Sequence, residues 1–138
     1  MENNITNMDH IGLVVYNIEE HIPYYRDILK LPFKGIKTHT EQGIKTAIFQ
    51  VGESNTFLEV FQPLDEKSSI YAYLQKRGEG FHHLCFGVKD ITEALDHAQK
   101  NNVELINKEP FIGVQGHKVA FLHPKSTKKI LTEFAELK

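Results

Sequence analysis

Asp9-His10-Ile11-Gly12-Leu13-Val14-Val15 returns later in the chain as His82-His83-Leu84-Cys85-Phe86-Gly87-Val88. Each copy runs on into a polar residue, an isoleucine and an acidic amphipathic stretch: Asn17-Ile18-Glu19-Glu20 and Asp90-Ile91-Thr92-Glu93. Further along, Phe57-Leu58-Glu59-Val60-Phe61 finds its partner in Leu131-Thr132-Glu133-Phe134-Ala135. The two glutamates recur at the same offset as the two histidines, to within one residue. A small unit is therefore present twice, and each copy contributes one histidine and one glutamate from its opposite ends. Two imidazoles and two carboxylates brought together by a pseudo-two-fold make a metal-ligating set.

The elements around these strands follow from periodicity. Met8 to Val15 alternates as a strand does, and residues 18–30 carry Ile18, Ile22, Tyr25, Ile28 and Leu29 at helical spacing behind an Asn17 N-cap. Strands are expected at 34–39, 44–51 and 56–62, separated by Glu41-Gln42-Gly43 and Gly52-Glu53-Ser54-Asn55. That is a βαβββ module over about residues 7–63. A connecting helix over about 66–77 ends at Gly78-Glu79-Gly80. A second βαβββ module follows over about 80–136, with a strand at 81–88, a helix at 91–101, and strands near 103–107, 117–122 and 130–135. The expected architecture is α+β: two βαβββ modules related by a pseudo-two-fold, forming a cupped mixed sheet around a metal site, in a single domain spanning 1–138.

In a strand, residues two apart share a face. His10 thus points with Gly12 and Val14, His83 with Cys85 and Gly87, Glu59 with Phe57 and Phe61, and Glu133 with Leu131 and Ala135. The other face of the histidine strands, Ile11/Leu13/Val15 and Leu84/Phe86/Val88, is the apolar one that a helix covers. The four candidate ligands His10, Glu59, His83 and Glu133 therefore lie on the side away from the helices. A carboxylate among Phe57, Phe61, Leu131 and Phe134 is costly to bury without a cation partner. A mixed imidazole–carboxylate set with open positions suits Co, Ni, Mn, Fe or Zn as the divalent ion, and does not choose among them.

Composition narrows the remaining classes. The 138 residues carry 41% apolar and 25% charged side chains and a net charge of −2, with no basic stripe to suggest nucleic acid. One cysteine, Cys85, excludes an internal disulfide and fits a reducing compartment. No apolar run approaches the ~18 residues of a spanning helix, and Met1-Glu2-Asn3-Asn4 does not read as a signal sequence. A cytoplasmic protein with no membrane partner is the expectation.

Through Asp9-His10-Ile11-Gly12, Glu41-Gln42-Gly43, Arg77-Gly78-Glu79-Gly80 leading into His82-His83, and His123-Pro124-Lys125-Ser126, the chain resembles the vicinal-oxygen-chelate (glyoxalase/dioxygenase) superfamily. Within it the resemblance is to methylmalonyl-CoA epimerases, over about Met8 to Glu136. It implies metal ligation by the same four residues that the repeat selects, His10, Glu59, His83 and Glu133. It also implies a homodimer and an acyl-CoA substrate whose α-proton is exchanged through an enolate, with the metal as Lewis acid. Glu133 and Glu59 are the catalytic candidates, and Lys118, Lys125 and Ser126 the candidate contacts of the CoA. Two positions depart from the family pattern. The second base of some members sits three residues after Gly43, where this chain has Thr46. Relatives commonly carry a Gly-Gly pair where this chain has Lys128-Lys129.

Other residues have plainer readings. His82, on the opposite strand face from His83, reads as a packing residue, His97 and His21 as solvent-facing, and His123 as a brace for the Pro124 turn. Cys85 reads as a small wall residue, and Phe57, Phe61, Phe81 and Phe121 as core. The leading alternative is glyoxalase I (lactoylglutathione lyase), whose metal set matches equally well but whose substrate carries no adenosine phosphates. A non-catalytic binding or resistance protein of the same fold ranks third, since such proteins generally lack some of the ligands.

Overall fold

Ten residues of β1 (Ile5–Val14) open a computed structural model that describes residues 3–137. Two units pack separately, one from His10 to His82 and the other from the described residues up to Asp9 together with those from His83 onward.

In the His10–His82 unit, β2 (Phe33–His39), β3 (Ile44–Gln50) and β4 (Phe57–Pro63) join the second half of β1 in the order β2-β3-β4-β1. β1 and β4 run parallel, whereas β2/β3 and β3/β4 are antiparallel. One sheet face is covered: Val15, Ile18, Ile22, Ala47, Phe49 and Val60 form a buried cluster with Leu13, Tyr25, Leu31, Phe33 and Leu58 against it. Helix α1 (Ser69–Arg77), capped by the Ser68 hydroxyl, closes the unit.

The unit containing His83 repeats this plan. β5 (Gly80–Val88), β6 (Phe111–Ile112), β7 (Lys118–Leu122) and β8 (Thr132–Glu136) follow the order β5-β8-β7-β6, with β5 and β8 parallel. Helix α2 (Ile91–Lys100) starts at Asp90, whose Oδ1 accepts the Glu93 N–H at 3.0 Å. Its Ile91, Ala94, Leu95 and Ala98 stripe packs on Val88, Ala120, Leu122 and Phe134. The α+β class and the doubled motif are thus as expected, with each helical segment on the face expected for it.

Two elements differ from expectation. Residues 18–30 do not form one helix: a 3-10 turn spans Ile18–Glu20 and a π-helical turn Tyr24–Ile28. Pro23 is the cause, because it has no N–H to give and its ring crowds the carbonyl four residues earlier. Beyond that break the backbone forms a wider turn, Leu29 N–H reaching Tyr24 O at 3.0 Å, and Ile28 ends 70% exposed. The strand expected near 103–107 is reduced to a single bridge between Leu105 and Leu122. There the Ile106 and Asn107 N–H groups share the Phe121 carbonyl, while Asn107 Oδ1 accepts the Phe121 N–H. That side chain replaces a ladder bond, and regular pairing resumes only at β6. Among the described residues no helix is long and apolar enough to cross a membrane.

Candidate active site

Register places His10 and Glu59 on one face. β1 and β4 pair His10 with Phe57 and Gly12 with Glu59, so His10, Gly12, Val14, Phe57, Glu59 and Phe61 line the face opposite the helical cluster. His10 Nδ1 stands 3.5 Å from Glu59 Oε2, and both side chains are almost wholly buried. In the other unit, Cys85 pairs with Glu133 and Phe121 with Glu133, which gathers His83, Cys85, Glu133 and Phe121 on the face away from α2. His83 Nε2 lies 3.2 Å from Glu133 Oε1, again with both groups buried. The Phe121 ring meets the His83 ring edge-on at 5.6 Å. Each unit thus supplies one buried imidazole–carboxylate pair from equivalent strands.

These donors suit a divalent cation. Two atoms each ~2.1 Å from a common ion lie about 3.0 Å apart at an octahedral angle and about 3.4 Å apart at a tetrahedral one. The two observed separations, 3.5 and 3.2 Å, are of that size. A buried carboxylate needs a cation or a protonated neighbour, and a neutral imidazole beside it makes a ligand pair.

Further groups share these faces. Thr46 on β3 is register-paired with Phe61 and lies on the His10–Glu59 face, between Ile44 and Ile48. It is 0% exposed, and its Oγ1 has no hydrogen-bond partner among the described residues. Leaving a buried hydroxyl unsatisfied costs about 1–3 kcal/mol. His82 packs edge-on against Phe61 at 5.1 Å and Tyr73 at 4.7 Å, with Arg77 over the Tyr73 ring. Cys85 is buried in an apolar cluster with Val119 and Ala135. Phe61 is buried, but Phe81 is 48% exposed and not core, because Gly80 (φ 144) starts the strand at the surface and leaves its first residues uncovered. His97 is exposed; His21 is only half-buried, its ring 3.4 Å from Glu79 Oε2.

The candidate CoA contacts lie elsewhere on their unit. Lys118 is exposed and register-paired with Glu136, on the α2 side of β7. Lys125 Nζ is 2.7 Å from Glu104 Oε1, and Ser126 Oγ accepts the Glu104 N–H at 2.9 Å. His123 Nδ1 accepts the Lys125 N–H, bracing the Pro124–Ser126 turn. Beyond it Lys128 (φ 60) and Lys129 (φ 71) hold left-handed backbone.

One pair escaped sequence reasoning. Gln62 Oε1 accepts the Ile18 N–H at 2.9 Å, and Glu136 Oε2 accepts the Ile91 N–H at 3.0 Å. They follow Glu59 and Glu133 by three residues and hold the start of a helical segment to the end of a strand. The repeat itself carried that signal.

This doubled βαβββ plan, with a histidine and a glutamate buried on the face of each half away from its helical segment, defines a fold class, and a family model agrees. Residues 9–121 match the Glyoxalase/Bleomycin resistance protein/Dioxygenase superfamily, to which the chain belongs. Among its relatives is the mitochondrial methylmalonyl-CoA epimerase of Dictyostelium discoideum, 33% identical over 96% of this chain and 79% of that protein. The ethylmalonyl-CoA/methylmalonyl-CoA epimerase of Cereibacter sphaeroides is 32% identical over 96% of this chain and 99% of its own length. A solved methylmalonyl-CoA epimerase in complex with methylmalonyl-CoA and NH4+ superposes with a TM-score of 0.90 at 28% identity, covering 96% of this chain and 94% of that one.

Proposed function

We propose that the protein is an isomerase that epimerises methylmalonyl-CoA by exchanging its α-proton, with a divalent metal held jointly by His10, Glu59, His83 and Glu133. The observation that carries this reading is the repeated buried pair, one imidazole and one carboxylate on equivalent strands of each half. The relatives that bear the epimerase name match nearly the whole chain, which supports the substrate class.

Two carboxylates and two neutral imidazoles leave a dication balanced in charge. Bound there, the cation would polarise the thioester carbonyl and so acidify the adjacent C–H. The chain's own groups do the rest. Glu133 is assigned as the base that takes the α-proton, and Glu59 as the group serving the opposite face of the same carbon. Proton transfer by a positioned carboxylate typically contributes 10²–10⁴-fold. The buried Phe61 and Cys85 flank the pairs and limit water there, which favours return of the proton to carbon. Lys118, Lys125 and Ser126 are assigned to the CoA moiety, Lys125 exchanging Glu104 for a phosphate. Homodimer formation and a cytoplasmic setting belong to the same reading.

The test is a ¹H NMR time course of methylmalonyl-CoA in D₂O with the Co²⁺-loaded protein. Loss of the α-proton signal, abolished by His83→Ala, is the expected result. No exchange above background with any of the five candidate metals overturns the reading, and the methylglyoxal–glutathione adduct is then the substrate to try.

A further inference from the structure

Ile44, Thr46 and Ile48 present three neighbouring side chains of β3 to the same face, and all three are buried. A valine at the middle position would fill nearly the same shape without a polar atom. Instead the chain places a hydroxyl there that is shielded from water and, among the described residues, meets no acceptor or donor. Buried polar groups of native proteins are overwhelmingly hydrogen-bonded, so an exception calls for a complement that arrives with something bound. Ile48 stands opposite Glu59, which makes Thr46 and Glu59 diagonal neighbours across the β3–β4 pair. Such neighbours are about 7–8 Å apart. That distance suits a small acyl group touching the carboxylate at one end and the hydroxyl at the other.

We propose that the Thr46 hydroxyl is a substrate-positioning group, donating a hydrogen bond to an oxygen of the malonyl unit of the acyl-CoA lying on the His10–Glu59 face. The assignment rests on the epimerase reading for the identity of the acyl group. A threonine hydroxyl does not ionise near neutral pH, so it cannot take the place of a carboxylate base; as a neutral donor it orients an anionic group without moving a proton. This chain thereby fixes the acyl group from a position where a second base would otherwise stand, and leaves proton transfer to its glutamates.

Thr46→Val and Thr46→Ser separate this role from a structural one. Removing an unsatisfied buried hydroxyl is expected to raise the melting temperature by a few degrees, roughly 2–6 °C. The same change is expected to lower kcat/KM for methylmalonyl-CoA about tenfold, the worth of one hydrogen bond to a charged acceptor. Thr46→Ser restores most of the activity. Free CoA, which lacks the acyl group, binds wild type and Thr46→Val equally in calorimetry, whereas methylmalonyl-CoA binds the variant more weakly. Unchanged kcat/KM and unchanged acyl-CoA affinity in Thr46→Val overturn the proposal, as does a joint fall in stability and activity that serine does not rescue. If wild type exchanges no α-proton, the epimerase reading fails by itself. Weaker binding of methylmalonyl-CoA, but not CoA, to Thr46→Val still supports the positioning role, and equal binding of both overturns it.

Discussion

Glu136 Oε2 accepts the backbone N–H of Ile91 at 3.0 Å and thereby ties the last strand of its unit to the first turn of α2. The first N–H groups of a helix have no partner within it, and an acidic group there also meets the positive end of the helix dipole. Gln62 performs the same tie to Ile18 with a neutral amide oxygen. The acceptor atom therefore matters more than the charge. Glu136→Gln is expected to keep stability within about 0.5 kcal/mol, while Glu136→Ala, which strands a buried N–H, loses about 1–3 kcal/mol. Urea unfolding monitored by circular dichroism checks both values.

Lys129 holds φ 71 while its N–H donates to the Pro124 carbonyl at 2.8 Å. A side chain in left-handed backbone is strained by roughly 1–2 kcal/mol, and glycine is not. Lys129→Gly is therefore expected to be neutral or stabilising, by up to about 1 kcal/mol, despite the greater freedom that glycine gives the unfolded chain. A loss of more than 1 kcal/mol in thermal unfolding would show that the lysine side chain makes a compensating contact.

The doubled βαβββ plan was legible because both histidine strands keep their alternation and both copies keep their spacing. The face shared by His10, Glu59, His83 and Glu133 was legible for the same reason, whereas the His10/Glu59 and His83/Glu133 pairings depend on strand register, which alternation alone does not set. Pro23 was present in the sequence, but the apolar spacing of Ile18, Ile22 and Tyr25 outweighed it; a π-helical turn keeps Tyr25 inward while disrupting the hydrogen-bond ladder. The stretch at Leu105 has strand-like composition, yet the Asn107 side chain captures the N–H that a longer ladder needs. The empty hydrogen-bonding capacity of Thr46 depends on what surrounds Oγ1 in three dimensions, and no local pattern reports that.

Glu104 and Lys125 give a pH-dependent signature. The hydrogen bond from Lys125, opposed by desolvation and aided to a smaller extent by the charges of Lys125 and His123, holds the Glu104 carboxyl below its ordinary value of 4.5. A folded-state pKa that is depressed contributes stability present above the unfolded value and lost as pH falls through the lowered one. Both groups are exposed, so the effect on stability is small. The direct readout is an NMR titration of the Glu104 carboxyl carbon: its midpoint is expected below 4.5 and to rise in Lys125→Met. If Lys125 takes a CoA phosphate, saturating CoA raises the midpoint as well; an unmoved midpoint removes Lys125 from the CoA site.

The claim that the two buried pairs act as one metal centre for α-proton exchange is tested most directly by titrating Co²⁺ into metal-free protein and following deuterium uptake by methylmalonyl-CoA. No exchange is expected without metal, then a linear rise and a plateau at one ion per chain, with Glu59→Ala and Glu133→Ala each losing the plateau. Exchange that is indifferent to metal, or that climbs to two ions per chain with either pair sufficient by itself, would contradict it.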